Sequence, residues 1–342
     1  MAIKRLATAG LTAAFVTVAG PAWACGGLVG DNGAVSLGRT TTLAAYVDGI
    51  EHYITGFEFA GSGGAFGSIV PLPGVPTKVE KAGDWTLQRL QLEVAPPVVA
   101  ELAASGDAVP TAARAEVVLE AEVDSLDITV LRGGARAVGL WAKDNGFGLS
   151  PDAPEILDFY ATRSPIFMAV RFDPERTAAQ GLALGQATPV HVTIPTENPW
   201  IPLRILALGK KAAEPVSADV FLLTEREPAL LPNGPAIAPA RSEPASASLL
   251  QDLAGDDRMG WLPTDGLWFT HLPVDVPAGE LRYDLAVDAS GAGDPSEVAA
   301  GLTVRDIPMR TPEFPVFWFV AGVALMTAGA ATVELRRART AQ

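Results

Sequence analysis

The chain has 342 residues, 49% of them hydrophobic, so it has enough apolar surface for a sizeable core. Its formal net charge is -14. So acidic a surface repels the phosphates of DNA and RNA, which excludes nucleic-acid binding as the expected role. A single cysteine excludes an intramolecular disulfide and a zinc site built from several cysteines.

Residues 1–24 have the three parts of a secretory signal. Two basic residues come first, an apolar run extends from Leu6 to Ala19, and Ala22 and Ala24 form an A-x-A cleavage motif. The apolar run is short for a membrane-spanning helix. We therefore expect cleavage after Ala24, which makes Cys25 the first mature residue.

Two interpretations of Cys25 remain open. A cysteine at the mature N-terminus, followed by glycine, is typical of a lipoprotein. Lipoprotein signals favour an aliphatic residue three positions before the cysteine, however, and Ala22 stands there. A lipid would also duplicate the membrane helix predicted at the other end of the chain. Ordinary cleavage without lipidation is favoured.

The pattern after the signal changes to strands. Residues 41–47 and 50–59 are predicted to be strands, and they flank Asp48-Gly49, a strong signal for a two-residue hairpin. Tyr53 and Phe57 share one face of the second strand by their even spacing.

The middle of the chain predicts a strand, two helices and a strand, which together form a mixed α/β unit. We expect these four elements near 126–131, 135–143, 150–162 and 166–172. Further strands are predicted at 189–194, 201–208, and 219–224.

Several short motifs carry a resemblance to a known family. They are Ala24 to Gly27, Ile69 to Pro76, Trp141 to Phe147, Leu157 to Tyr160, Phe167 to Arg171 and Pro202 to Ile205. Together they resemble the domain-of-unknown-function 2330 family over roughly residues 22 to 226. The resemblance implies a bacterial exported protein, and many members have a signal peptide and a C-terminal membrane helix. A second cysteine often follows the first motif in that family, whereas Cys25 is alone here. The resemblance implies no activity and supplies no catalytic residues.

Composition changes after the region of resemblance. Residues 227–248 are rich in Pro, Ala and Ser, which predicts a loop or linker. Residues 249–310 return to strand-like alternation and are predicted to form the membrane-proximal part of the exported domain. We thus expect the family-like domain to occupy residues 25–226.

The last apolar run predicts a membrane-spanning helix. Residues 314–333 contain no charge, and a helix of that length spans about 30 Å, the thickness of a bilayer's hydrocarbon core. Three arginines follow within residues 334–342 and favour a cytoplasmic tail under the positive-inside rule. We expect a single-pass protein of the cytoplasmic membrane whose main domain is extracytoplasmic.

Small residues recur along this predicted span. Gly322, Ala324, Ala328, Gly329 and Thr332 fall near one side of the helix, where another helix backbone could approach closely. The helix is either a packing surface for a partner or only an anchor, and the anchor is favoured because small residues are common in membrane spans.

The sequence holds few residues with an obvious chemical role. Its histidines, His52, His191 and His271, are far apart in the chain, and no H-E-x-x-H or G-x-S-x-G motif occurs. The densest acidic cluster lies at 252–257, and its spacing indicates a solvated turn rather than a calcium loop. We expect neither a metal nor a cofactor.

These observations predict an α+β, strand-rich exported domain with a C-terminal transmembrane helix. Without the signal and tail, 20 basic and 38 acidic residues remain, so the exported part carries -18. We favour a non-enzymatic binding module of the bacterial envelope. Its expected contacts are the lipid bilayer and a protein partner, met at the outer membrane face or through the helix. The alternative is an envelope hydrolase whose active site combines distant histidines and acidic residues.

Overall fold

The computed structural model describes residues 27–30, 39–57, 66–95, 117–173, 176, 188–232 and 237–302. The strands are β1 (Gly27–Gly30), β2 (Thr40–Val47), β3 (Ile50–Phe57), β4 (Phe66–Pro71), β5 (Lys78–Lys81), β6 (Val117–Val123), β7 (Leu126–Arg132), β8 (Ile166–Phe172), β9 (Thr188–Pro195), β10 (Trp200–Ile201), β11 (Pro215–Thr224), β12 (Ala229–Leu231), β13 (Arg241–Pro244), β14 (Trp268–Pro277) and β15 (Leu285–Asp288). The helices are α1 (Thr86–Val94), α2 (Gly134–Asp144), α3 (Ala153–Ala161), α4 (Ala247–Ala254) and α5 (Glu297–Ala300), with 3-10 turns at Arg204–Ala207 and Ala278–Glu280.

The strands form three sheets. A seven-stranded sheet has the order β13-β14-β11-β2-β3-β9-β5, and within it β2 and β11 are parallel while the other neighbours are antiparallel. An antiparallel five-stranded sheet has the order β1-β4-β8-β7-β6, and a small sheet has the order β10-β15-β12. The strand-rich α+β class predicted from the sequence is confirmed.

The two large sheets pack face to face. Val70, Ile128 and Met168 of the five-stranded sheet belong to the same buried cluster as Val192 and Val220 of the seven-stranded sheet. Alternating strand residues point to opposite faces, so each sheet has a second face that must also be covered.

Helices cover those second faces. On the seven-stranded sheet, Leu43 and Ile54 are buried with Leu90 of α1 and Leu250 of α4. On the five-stranded sheet, Tyr160 of α3 contacts Phe167 of β8 edge to face, with ring centroids 6.4 Å apart. The layers therefore run helices, sheet, sheet, helices, and the central strands are buried on both sides.

Local sequence signals explain several of these elements. Asp48 and Gly49 have φ values of 53° and 75°, which is the left-handed geometry of a type I′ hairpin turn. The strand, two helices and strand predicted in the middle of the chain are β7, α2, α3 and β8. Strands β7 and β8 pair directly, so the two helices that connect them in the chain cover one face of the sheet.

Three predictions are wrong. Residues 227–248 are not simply a loop or linker, because β12 pairs with β15 and β13 pairs with β14. Residues 201–208 do not form one strand, since β10 ends before Pro202, which has no N–H for a ladder, and a 3-10 turn follows. The acidic cluster at 252–257 is not simply a solvated turn. The Asp256 side chain is buried and accepts hydrogen bonds from the Asp84 and Trp85 amides at the start of α1.

Other predictions fall outside the described residues. These are the signal at 1–24 with Ala22, Ala24 and Cys25, the tail at 334–342, and the span at 314–333 with Gly322, Ala324, Ala328, Gly329 and Thr332. Within the described ranges, no helix has the length and apolar character needed to cross a membrane. As for residues 249–310, strand β14 lies inside the seven-stranded sheet, between β13 and β11.

A buried carboxylate joins the helical layer to the small sheet. Asp284, fully buried just before β15, accepts hydrogen bonds from the Tyr160 hydroxyl at 2.8 Å and from the Leu203 and Arg204 amides at 2.9 Å each. It also forms an ion pair with the Arg163 guanidinium at 2.6 Å. These donors come from α3, the turn after it and the first 3-10 turn, so one side chain fixes their relative positions.

We predict that Asp284→Asn lowers the free energy of unfolding by about 3–5 kcal/mol, because it leaves the Arg163 guanidinium buried without its counter-charge. Chemical denaturation of the full-length protein measures the change. Asp294→Asn is the matched control, since that side chain is exposed. Equal stability of the two variants would show that the Asp284 ion pair does not hold these elements together.

Candidate functional site

The three histidines lie on one face of the seven-stranded sheet. His52 is opposite Ala45, His191 is opposite Ile54 and His271 is opposite Phe221, and each of these apolar partners is in the cluster beneath α1 and α4. Strands β3 and β9 are neighbours, so His52 and His191 meet. Strand β14 is three strand positions from β3, roughly 14 Å at ~4.8 Å per strand, so His271 belongs to a separate group.

The first group is a stack of three rings. The His52 Nδ1 atom is 2.9 Å from the His191 Nε2 atom. Trp261, between α4 and β14, stacks on His52 with a centroid distance of 3.7 Å and an interplanar angle of 5°. On the other side, the His191 Nδ1 atom is 3.8 Å from a Glu80 carboxylate oxygen on β5.

Both imidazoles of this stack are neutral at pH 7. Burial lowers the pKa of His52 to about 4. Burial, followed by the proximity of His52 and Lys78, lowers the pKa of His191 to about 3. The pair thus shares one hydrogen bond, with one ring donating and the other accepting. In the described part of the chain, no cluster of three His, Cys, Asp or Glu side chains could hold a metal ion.

The second group is built around Asp219 on β11. The His271 Nε2 atom is 2.8 Å from the Asp219 carboxylate, and Arg39 donates to both of its oxygens, at 2.5 Å and 2.9 Å. Arg39 also donates to Asp275 at 3.0 Å. Burial raises the pKa of Asp219, but hydrogen bonds from Arg39 and His271 outweigh it and lower that pKa to about 2. Asp219 is therefore a firmly ionised carboxylate that orients His271.

A contact of this kind forms two members of a hydrolytic triad. Across the ranges that the structure describes, no serine or threonine hydroxyl is hydrogen-bonded to His52, His191 or His271. The fold thus brings one of the three histidines within hydrogen-bonding distance of an aspartate, and no described hydroxyl completes a triad with them.

A third group collects at the end of the seven-stranded sheet where the β2–β3 hairpin turns. Tyr46 pairs with Thr224, the last residue of β11. We call the group the acidic end: Tyr46, Asp48, Glu197, Glu225 and Asp288. Asp48, Glu197 and Glu225 are exposed, and Asp288 is half-buried. Burial raises the pKa of Tyr46, and the negative charges of Glu51, Glu197, Glu225 and Asp288 raise it further at the high pH at which a tyrosine titrates.

Glu51 lies beneath the acidic end. It pairs with Tyr46 across the hairpin, is 1% exposed, and neither of its carboxyl oxygens has a hydrogen-bond partner. Burial raises the pKa of Glu51 to about 8, and proximity to the Trp200 backbone amide opposes that shift only in part. At neutral pH, Glu51 is therefore a buried, protonated acid.

Sequence analysis missed Glu51, although a signal for it was present. The even spacing that places Tyr53 and Phe57 on one face of β3 puts Glu51 on the same face. A carboxylate on the apolar face of a strand is a candidate for a perturbed, functional group. The His52–His191 contact gave no such local signal, because 138 residues separate the two histidines in the chain.

Comparison with known proteins gives one match. A family model described as "uncharacterized protein conserved in bacteria" (DUF2330) matches residues 19–229, close to the range of the resemblance found in the sequence. Neither a search of curated proteins nor one of solved structures found a match.

We predict that Glu51→Gln changes how stability depends on pH. Glu51 keeps its proton in the folded protein up to about pH 8 but loses it near pH 4.5 when unfolded, so its contribution falls as pH rises between these values. Relative to the glutamine variant, the wild type should lose about 1.4 kcal/mol per pH unit, or about 3 kcal/mol by pH 7. Urea unfolding between about pH 5 and pH 8 measures this, with the exposed Glu280→Gln as control. Parallel curves for wild type and Glu51→Gln would contradict the prediction.

Proposed function

Since the chain belongs to the domain-of-unknown-function 2330 family, which carries no assigned activity, we propose that it is a binding module of the bacterial envelope. The predicted signal at residues 1–24 supports export. The apolar run at 314–333 and the arginines after it support retention at the outer face of the cytoplasmic membrane.

The acidic end is the proposed binding site. Acidic residues scattered over a surface mainly keep a protein soluble. Here Glu197, Glu225 and Asp288 come from three separate segments and are close enough to Tyr46 to raise its pKa, and the Asp48 amide donates to a Glu225 carboxylate oxygen at 3.4 Å. Converging charges of one sign attract an oppositely charged partner and speed its association. We therefore assign recognition of a positively charged partner to this end.

Co-purification of native membrane partners with the full-length protein tests the proposal. We expect Glu197→Gln combined with Glu225→Gln to reduce partner recovery several-fold, and added salt to reduce recovery with the wild type, because both weaken the attraction. Glu214→Gln combined with Glu280→Gln removes equal charge at the opposite end of β11 and should leave recovery unchanged. Equal recovery from both double variants would contradict recognition at the acidic end.

An envelope hydrolase is the second candidate, and the 2.8 Å contact between His271 and Asp219 is what favours it. An ionised aspartate that orients a histidine can raise its power as a general base. If so, the full-length protein should turn over a generic ester, peptide or glycoside substrate, and both His271→Ala and Asp219→Asn should reduce the rate at least about 100-fold. Asp294→Asn should retain it. Absence of turnover, or turnover unchanged in the first two variants, would reject the hydrolase.

A further inference from the structure

Glu51 is costly to the fold in a way that the buried acids Asp219 and Asp284 are not. Asp284 accepts four hydrogen bonds and Asp219 accepts three. Both oxygens of the buried Glu51 carboxyl lack a partner. A buried polar group without hydrogen bonds costs about 1–3 kcal/mol on folding. A glutamine or a leucine at this position would avoid ionisation, so the presence of a carboxylic acid there requires an explanation.

The position of Glu51 in the fold explains why an acid is present. Its direct cross-strand neighbour is Tyr46, which is half-buried and whose hydroxyl donates to the Thr196 carbonyl at 2.7 Å. Tyr46 is thus near both the buried acid and the carboxylates of Glu197 and Glu225, and the charges of all three act on its hydroxyl. A positive group drawn to those carboxylates would arrive beside Tyr46, next to the strand pair that carries Glu51.

We propose that the acidic end is a site for a primary ammonium group, and that Glu51 gives up its proton to become the counter-charge when that group binds. This inference rests on the proposed function and adds the chemical class of ligand. In the step, the O–H bond of Glu51 breaks, the proton passes to the solvent buffer, and the carboxylate accepts hydrogen bonds from the ammonium.

An ammonium on an alkyl chain fits this place better than a guanidinium. It is a compact charge on a slender stem and has three donors, so it can reach a deep acid and satisfy both oxygens of Glu51. The face of Tyr46 can add a cation–π contact. Among the charged groups at this end, Asp48, Glu197, Glu225 and Asp288 are negative. The Arg226 guanidinium is held by the Ser290 carbonyl at 3.1 Å.

Release of a proton from Glu51 on ligand binding distinguishes this proposal from simple attraction to surface carboxylates. Burial holds the pKa of Glu51 at about 8, so the group is mostly protonated at pH 7 before binding. Calorimetric titration of the full-length protein, in detergent and in two buffers of different ionisation enthalpy, counts the protons released. With a tetralysine peptide or with spermidine as the probe, we expect about one proton per bound ligand from the wild type. From Glu51→Gln we expect no proton and at least about tenfold weaker binding.

Controls separate this inference from the broader proposal. Glu51→Gln retains the shape of the protonated acid, and its thermal unfolding shows whether it is folded. Glu280→Gln, at the opposite end of the sheet, should match the wild type in affinity and proton release. Binding with proton release for both probes indicates an ammonium site open to free amines. Binding with release for the peptide, together with no binding of spermidine, indicates a lysine side chain of a protein partner.

Three results would overturn the inference. Binding of either probe without proton release would show that Glu51 does not meet the cation, although the acidic end could still recruit a partner. Equal affinity of the wild type and of Glu51→Gln for the probes would also show that Glu51 does not meet the cation. Absence of binding by both probes would remove the ammonium site, while the co-purification experiment would still decide the proposed function by itself.

Discussion

Burial of the seven-stranded sheet on both faces is the constraint on which the rest of the structure depends. One face packs on the five-stranded sheet and the other is covered by α1 and α4. A polar side chain on a central strand is therefore held away from water wherever it points. In such surroundings a charge must be paired, or the group must be neutral.

The polar residues on these strands meet the constraint in three ways. His52 and His191 stay neutral and hydrogen-bond to each other. Asp219 remains charged because Arg39 and His271 surround it with donors. Glu51 becomes neutral without gaining a partner. The Asp219 arrangement is complete within the fold. The histidine pair leaves the buried His191 Nδ1 atom without a partner, and Glu51 leaves both of its carboxyl oxygens without one.

Local patterns predicted the parts of this fold that depend on neighbours in the chain. Asp48-Gly49 specifies its hairpin turn because both residues accept positive φ, and the apolar periodicity of residues 126–172 separates the helices α2 and α3 from their flanking strands. The family resemblance was likewise readable from motifs spread over residues 22–226, and the family match confirms it.

Long-range pairing determined what the sequence could not predict. The short strands β12 and β13 have little strand character of their own and form because β15 and β14 offer free edges. In the sequence Asp256 resembles a solvent-exposed acid, but in the fold it accepts hydrogen bonds from the backbone amides at the start of α1. The histidine pair needs β3 and β9 side by side. In each case the deciding contact joins residues far apart in the chain, which composition and periodicity do not record.

The acidic end and Glu51 form one electrostatic system with a defined coupling. If a cation binds only when Glu51 is ionised, then binding lowers the pKa of Glu51, and deprotonation of Glu51 raises affinity by the same free energy. Affinity must then increase with pH until Glu51 is ionised without ligand, near pH 8. Attraction to ordinary solvent-exposed carboxylates does not change between about pH 6 and pH 8, because the reference pKa of such a group is near 4. Ionic strength affects the two parts to different degrees. Salt screens attraction to the exposed carboxylates strongly and a contact with the buried Glu51 weakly. The pH dependence of binding therefore reports the buried acid, and its salt dependence reports the surface above it.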